Sequence, residues 1–208
     1  MASPQLIQNV KENIVKNIWA ASKIEIPLIT FPQTEDIYNG YTPNSMSEKD
    51  IVIVNNIKHA WQFLIDNHDV TPDWQYAKHY NYLIGDGVNL YPGEIRQHTV
   101  QISGTNYIPP IPQLDDIYAG FETAYKYGSV EQQAAALFAI VCRGQWFSDG
   151  NKRTAHLLAN QVMLAGDAGV FLLPQDKDED FRSNLLRYYE SGGLDEFVSW
   201  LTDTSCVR

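Results

Sequence analysis

Apolar residues recur at spacings of three and four along most of the chain, which is the pattern of helices that bury one face. The clearest predicted helix runs from Ser47 to about Asn67, with a predicted capping box of Ser45 and Glu48 at its start. Ser129 with Gln132 is a second predicted capping box. The pattern therefore predicts an all-α fold. The other predicted helices cover roughly Gln5 to Lys23, Asp73 to Ile84, Pro112 to Tyr127, Ser129 to Gln145, a segment starting near Gly150 or Asn151, Glu179 to Glu190, and Leu194 to Thr202.

One segment, from Glu94 to Pro110, breaks the helical pattern. Val100 and Ile102 alternate with polar neighbours, a turn is expected at Ser103 and Gly104, and residues 105–108 are suited to a returning strand. The segment predicts a short β-hairpin, which would have to pack on the helices or accept an added strand. A long surface loop is the alternative.

Composition narrows the class of protein and of partner. With 208 residues, of which 44% are hydrophobic, the chain is long enough for one domain, and a small second lobe is the alternative. The formal net charge of -10, without a dense run of Lys or Arg, argues against a nucleic acid, a membrane surface or an acidic protein as partner. We expect a cytoplasmic protein, because the sequence has no 18-residue apolar span and no signal-peptide pattern. Cys142 and Cys206 form neither a disulfide framework nor a metal knuckle.

The candidate chemistry lies in the stretch RGQWFSDGNKRTAHLLAN, residues 143–160. If a helix starts near Gly150 or Asn151, its first backbone N–H groups are unpaired and its dipole favours an anion. Gly150 would let a ligand approach the backbone, Asn151 offers an amide, and Lys152 and Arg153 supply cations. The segment therefore predicts a phosphate-binding site.

Asp149 would repel that anion unless a divalent cation lay between them, so its position indicates magnesium. The alternative is purely structural. In that interpretation Asp149 caps the helix, Lys152 and Arg153 are solvated, and Phe147 packs in the core.

The same stretch resembles the signature of the Fic/Doc family, His-x-Phe-x-(Asp/Glu)-(Gly/Ala)-Asn-(Gly/Lys)-Arg. The hairpin sequence VQISGTNYIPPIP is similar to the flap that these proteins carry upstream of the signature, and the resemblance covers roughly residues 74–169. It implies one Fic-like helical bundle over 1–208, with an N-terminal segment 1–46, a helical core 47–208, a flap at 94–110 and a signature loop at 145–156. The positions in register with the signature are Phe147, Asp149, Gly150, Asn151, Lys152 and Arg153.

The resemblance implies a nucleotide site that takes ATP with Mg²⁺ and transfers AMP to a hydroxyl side chain of a target protein. Asp149 would hold the metal, and Val100, Gln101 and Ile102 of the flap would bind an extended target segment. Regulation by an antitoxin partner or by self-inhibition is compatible with it. The predicted phosphate-binding residues are Gly150, Asn151, Lys152, Arg153 and His156.

The chain departs from the signature at its first position, where Gln145 stands in place of the family's catalytic histidine. A glutamine amide does not titrate near neutral pH, so it orients a hydroxyl but does not act as a general base, a role worth about 10² to 10⁴ in rate. His156 is too far along the helix to substitute, and His98 in the flap is a less constrained candidate.

A second departure concerns regulation. Many family members carry an inhibitory helix with the pattern (Ser/Thr)-x-x-x-Glu-(Gly/Asn), whose glutamate pairs with a second signature arginine. In the segment TEDIYNG, Thr34 and Asn39 suit the pattern, but Tyr38 replaces the glutamate and His156 replaces the arginine. The alternative is a polar turn, because Asn-Gly marks turns by itself.

Three functional hypotheses follow. The first is a protein adenylyltransferase, slowed by the loss of the histidine. The second is a Doc-like phosphotransferase, since Asn151-Lys152-Arg153 replaces the commoner Asn-Gly-Arg. The third is a non-catalytic protein that keeps the fold and binds nucleotide as a regulatory module.

Overall fold

One helix, α8 (Asn151–Ala165), lies at the centre of the fold, and all of its side chains except Lys152 and Ala165 are buried. The computed structural model describes residues 2–173 and 178–207, and these residues form ten helices and one two-stranded sheet. The prediction of an all-α fold is confirmed. The remaining elements are α1 (Pro4–Glu12), α2 (Ile14–Ser22), α3 (Phe31–Tyr38), α4 (Glu48–Asp66), α5 (Trp74–Gly85), α6 (Leu114–Tyr125), α7 (Val130–Gly144), β1 (Val170–Phe171), α9 (Asp178–Ser191), α10 (Leu194–Ser205) and β2 (Cys206–Val207).

The other helices surround α8, in which Lys152 of the first turn is exposed and Ala165 at the end is half-buried. Helix α7 packs along α8, while α5 and α4 contact it from other directions. Helices α6 and α10 pack on α7, and α2 and α3 pack on α4. Strand β1 follows α8 and pairs antiparallel with β2. No helix in the described part of the chain has the length and hydropathy that a membrane span requires.

Local sequence signals account for most helix starts. Ser129 caps α7 by accepting from the Gln132 N–H, with the reciprocal Gln132 bond also present, so that capping box is confirmed. At α4 the prediction was off by two residues. Ser47 is the N-cap, and the Ser45 hydroxyl accepts instead from Gln33 Nε2.

Two N-terminal predictions also need correction. The single helix predicted from Gln5 to Lys23 is interrupted at Asn13, whose backbone leaves the helical region at φ -101° and ψ 15°. The segment 34–40 is not a polar turn, because it lies mostly in α3, which a Thr30–Gln33 capping box starts. The expected Asn-Gly turn follows directly where α3 ends, and Gly40 adopts φ 89°.

The hairpin predicted between Glu94 and Pro110 is wrong as a pair of strands. Residues 97–110, here called the flap loop, turn at Ser103 and Gly104 as expected but form no backbone ladder in the described structure. The carbonyls of its two ends bind the buried Arg96 side chain, and its tip binds Glu190 of α9. Hydrogen bonds from side chains thus take the place of strand pairing. The observed structure is the long loop that the sequence left as the alternative.

We expect Asn160→Ala to destabilise the fold by about 2–4 kcal/mol, since each buried backbone group left without a partner costs about 1–3 kcal/mol. The buried Asn160 amide bonds both the N–H and the carbonyl of Phe171, at 2.9 and 2.8 Å, and so holds β1 on α8. The free energy of unfolding in urea measures the effect. Asn184→Ala, which removes only exposed hydrogen bonds, is the control and should cost under about 0.5 kcal/mol. Equal losses in the two variants would contradict this account.

Candidate functional site

The α7–α8 loop (residues 145–150) turns sharply between the two central helices. Gln145 ends α7 in the left-handed region at φ 45° and ψ 58°, and Gly150 precedes α8 with φ 77°. A positive φ is uncommon for a residue other than glycine. Such backbone strain persists only where the surrounding structure holds the residue in place. The predicted start of a helix at Gly150 or Asn151 is confirmed.

The Asn151 side chain organises this loop from inside. Its Oδ1 accepts from the Phe147 N–H at 2.9 Å, and its Nδ2 donates to the Phe147 carbonyl at 2.7 Å and to Gln145 Oε1 at 3.1 Å. The predicted amide contact from Asn151 to phosphate is therefore replaced by contacts within the loop. What Asn151 offers a ligand is its backbone N–H at the first turn of α8.

One aromatic side chain and one polar side chain of α5, Trp74 and Asn81, contact the α7–α8 loop. The buried Phe147 ring stacks on Trp74 of α5 with centroids 5.5 Å apart, as expected for a core anchor. Asn81, also on α5, donates to the Asp149 carbonyl at 2.9 Å and accepts from the Gly93 N–H at 2.8 Å. Sequence reasoning missed Asn81. Its signal was a polar residue on the apolar face of α5, in phase with Trp74, Ala77 and Ile84.

Arg153 is a buried cation with spare donors. Its side chain is 2% exposed, and Glu25 Oε2 and Asp149 Oδ1 lie 3.2 and 3.6 Å from Nη2. Neither contact has the alignment of a hydrogen bond, and Nη1 and Nη2 have no hydrogen-bond acceptor among the described residues. Unpaired buried donors of this kind are rare in folded proteins. Glu25, in the turn after α2, was not predicted to take part.

The first backbone N–H groups of α8 have no hydrogen-bond acceptor within the helix. The Thr154 N–H is the first to bond back, to the Gly150 carbonyl at 2.9 Å, so the preceding N–H groups face the loop end of the helix. Lys152 is exposed beside them. Free N–H groups at a helix start are suited to an anion, and the phosphate site expected from the sequence stays a prediction.

Asp149 is the residue suited to a metal ion, because its side chain is 55% exposed. It does not cap α8 in the usual way, although its carboxylate accepts from the Gly150 N–H. In the described residues no group of three or more His, Cys, Asp or Glu side chains could hold a metal ion. A single exposed carboxylate such as that of Asp149 still fits Mg²⁺, because this ion is commonly held by one or two carboxylates together with substrate phosphates and water.

A cavity of about 490 Å³ adjoins the loop. Its walls come from α2 and the following turn, from the flap loop, from Gln145 and Lys152, and from α9. Ile102 and Ser103 bring the flap loop to the wall, while Val100 and Gln101 are not among the lining residues. The cations Lys23, Lys152 and Arg182 outnumber the single lining carboxylate, Glu179, so the cavity favours an anionic ligand.

Gln145 occupies the wall of this cavity with its amide engaged at both ends. Nε2 donates to the Cys142 carbonyl at 2.7 Å, and Oε1 accepts from Asn151 Nδ2. These bonds leave one N–H of the amide for a ligand. His98, the less constrained candidate, is exposed in the flap loop, and only its carbonyl is bonded, to Arg96.

His156 is withdrawn from the predicted phosphate contacts. It is buried in the core, where its ring meets Trp61 and Phe171 edge to face with centroids 6.3 and 6.2 Å away. Burial lowers its pKa to about 4, so the ring is neutral at neutral pH.

The predicted regulatory residues Thr34, Tyr38 and Asn39 lie on α3 or at its end, and none of them lines the cavity. Lys58 Nζ of α4 donates to the Tyr38 carbonyl at 2.8 Å and lies over the Tyr38 ring. Thr34 is buried, and Asn39 closes the end of α3. The acidic contact to a signature arginine comes from Glu25 instead, upstream of this helix.

Comparison with known proteins agrees with this architecture. Residues 71–163 match the model of the Fic/DOC family, so the chain contains a Fic/DOC family domain. No curated protein sequence matches the chain significantly.

Solved structures resemble the fold over nearly the whole chain. Fic-1 (residues 134–508) from C. elegans has a TM-score of 0.79 and 19% identity, covering 98% of this chain, which spans only 64% of the nematode chain. A Fic domain-containing signaling protein from Bacteroides thetaiotaomicron has a TM-score of 0.77 and 16% identity, covering 98% of this chain and 87% of its own. A Fic family protein from Desulfovibrio desulfuricans G20 has a TM-score of 0.76 and 16% identity, covering 97% and 64%. At these identities the structures establish the fold.

We expect Gly150→Ala to destabilise the chain by about 2–3 kcal/mol, and Gly40→Ala by only about 1 kcal/mol. Both glycines have left-handed backbones, but a Cβ at Gly150 would lie 3.0 Å from Ile84 Cδ1 and 3.2 Å from Asn81 Nδ2, whereas nothing lies within 4 Å at Gly40. The free energy of unfolding in urea, measured for both variants, separates the cost of the left-handed backbone from the added cost of crowding by Ile84 and Asn81. The same loss at both positions would show that Asn81 and Ile84 do not confine the loop.

Proposed function

We propose that the first turn of α8 binds the phosphates of a nucleoside triphosphate and that the chain transfers AMP from ATP to a hydroxyl group of a target protein. The observation that carries the proposal is Arg153, a buried guanidinium whose Nη1 and Nη2 have no hydrogen-bond acceptor among the described residues. Phosphate oxygens supply the acceptors that such a group requires.

Other groups near Arg153 also suit the phosphates of a nucleoside triphosphate. The backbone N–H groups and the dipole at the start of α8 bind the phosphate nearest the helix, and Lys152 adds a cation at the cavity wall. Arg153 takes a more distal phosphate. The nucleoside then occupies part of the adjoining cavity, whose volume of about 490 Å³ lies in the range of small-molecule sites.

Asp149 would hold Mg²⁺ with its exposed carboxylate. When bound, the ion neutralises charge on the phosphates and polarises the phosphorus–oxygen bonds. Asp149 Oδ1 lies 3.6 Å from Arg153 Nη2, so the two groups can contact the same bound polyphosphate.

The transfer step forms a bond between the target hydroxyl oxygen and the α-phosphorus of ATP. The bond from that phosphorus to the bridging oxygen breaks, and pyrophosphate leaves with the electron pair. Gln145 supports this step by orienting the hydroxyl with its remaining amide N–H. Gln145 accepts no proton, so the hydroxyl proton passes to solvent or to a phosphate oxygen, which makes the step slow.

One observation favours a second candidate function, a non-catalytic nucleotide-binding module. The Gln145 amide is bonded to Cys142 and Asn151 within the loop, as a structural residue would be. Incubation with labelled ATP separates the candidates. Transfer of the α-phosphate label supports AMP transfer, transfer of only the γ-phosphate label indicates a Doc-like phosphotransferase, and binding without transfer indicates the module.

Arg153→Ala should weaken binding of Mg-ATP about tenfold or more, since a charge-assisted hydrogen bond is worth about 1.5–3 kcal/mol. Isothermal titration calorimetry measures this affinity. Arg187→Ala, at an exposed arginine of α9, is the matched control and should leave it unchanged. Unchanged affinity in Arg153→Ala would end the proposal that Arg153 binds phosphate.

Glu25→Gln should strengthen binding of Mg-ATP about three- to fivefold. The Glu25 carboxylate competes with phosphate for Arg153, but it is 37% exposed, so the contact is worth at most about 1 kcal/mol. Glu35→Gln on α3 removes the same charge from an exposed position and serves as the control in the same titration. Weaker binding in Glu25→Gln would show that Glu25 supports the site instead of competing for it.

Gln145→His should raise AMP transfer to a target, or to the chain itself, by about 10² to 10⁴, the contribution of a general base. The rate should rise with pH around the ordinary histidine pKa of about 6.5, because only the neutral ring accepts the proton. Label transfer from α-labelled ATP, followed across pH, gives both results. No gain while ATP still binds would favour the non-catalytic module.

A further inference from the structure

Arg96 is a buried cation at the base of the flap loop, and its side chain is 1% exposed. Its Nε donates to the Gln145 carbonyl at 2.8 Å, its Nη2 donates to the Pro110 carbonyl at 2.7 Å, and its Nη1 donates to the His98 carbonyl. Its backbone N–H donates to the Trp146 carbonyl at 3.0 Å. One side chain thus joins both ends of the flap loop to the first position of the α7–α8 loop.

No carboxylate pairs with Arg96 in the part of the chain that the structure describes. Its burial lowers the pKa of the guanidinium from the ordinary value. The compensating charge comes from the end of α7, because the last carbonyls of a helix lack intrahelical partners and carry partial negative charge. Arg96 therefore also caps the C-terminal end of α7.

An arginine suits this position because a planar guanidinium sends donors in several fixed directions. The three accepting carbonyls, of His98, Pro110 and Gln145, come from three separate points of the chain. A lysine has one nitrogen at the end of a flexible stem and cannot reach all three in the same geometry.

The bond to Gln145 has a further effect on the site. Gln145 holds a left-handed backbone that costs on the order of 1–2 kcal/mol for a residue with a side chain. Its N–H bonds to the Val141 carbonyl, and its own carbonyl bonds to Arg96. The same guanidinium bonds both ends of the flap loop, whose Ile102 and Ser103 line the same cavity as Gln145.

We infer that Arg96 is a positioning residue, which sets where the flap loop stands relative to Gln145 and thereby aligns a target hydroxyl with the nucleotide. It reaches the cavity only through the backbone of other residues. The link to transfer rests on the proposed function, while the connection between the two loops is measurable in the chain without any ligand.

Hydrogen exchange followed by mass spectrometry tests the inference in Arg96→Lys. Backbone amides of residues 97–108 and 146–147 should exchange about tenfold faster or more, because local opening loses its restraint, while α4 and α5 keep their rates. Mg-ATP affinity should change less than about threefold, whereas AMP transfer at saturating ATP, measured in the Gln145→His background, should fall about tenfold or more. Arg187→Lys makes the same chemical change at an exposed site and should alter none of these.

Two results would overturn the inference. Unchanged exchange in both loops would show that Arg96 does not restrain them, and faster exchange throughout the chain would show a general structural role. A parent chain that binds no ATP would end the proposed function, yet the exchange result would still decide the role of Arg96 in joining the loops.

A measurement on the unaltered chain covers the case in which Arg96→Lys does not fold. The Arg96 Nε–H, bonded to the Gln145 carbonyl, should give a nuclear magnetic resonance signal that exchanges slowly with water. Glu190→Gln adds a second arm, since it should loosen only the loop tip at Thr105 and Asn106 and leave that signal in place. A rapidly exchanging Nε–H would overturn the inference.

Discussion

The burial of α8 along nearly its whole length is the constraint on which the rest of the fold depends. A helix buried along nearly its whole length has no water to satisfy its polar side chains, so those side chains must find partners inside the protein. Asn151 bonds the loop before it, Thr154 bonds Asn81 of α5, Asn160 bonds β1, and Gln161 bonds the chain between α4 and α5. The hydrogen bonds that satisfy the buried polar side chains of α8 therefore also hold the surrounding elements in place.

Much of the helical framework follows from local sequence, while the contacts that build the site do not. The starts of α7 and α8 were predictable, because a capping box and a glycine act within a few residues of themselves. The contacts of Arg96 and Glu25 were not predictable, because their partners are distant in sequence and only the folded chain brings them together. The hairpin prediction failed for the same reason, since alternation alone does not reveal that a side chain binds the loop's carbonyls.

Part of the site interpretation also changed in a physically informative way. Asn151 and His156 both lie on α8 within the segment that resembles the family signature, yet both turn inward, to the loop and to the core. Arg153 lies between them, and its Nη1 and Nη2 have no hydrogen-bond acceptor among the described residues. All three side chains are buried, so the available hydrogen-bond partners are what separate Asn151, which shapes the loop, from Arg153, which has donors to offer a ligand.

The three acceptors of the Arg96 side chain are main-chain carbonyls, and this has a consequence for how the sequence can vary. A carbonyl is present at every position whatever the side chain, so these bonds impose no requirement on residue identity along the flap loop. Side chains along the loop can therefore be exchanged without removing any of the three bonds. One arginine side chain thus holds the geometry of a loop whose own side chains do not take part in these bonds.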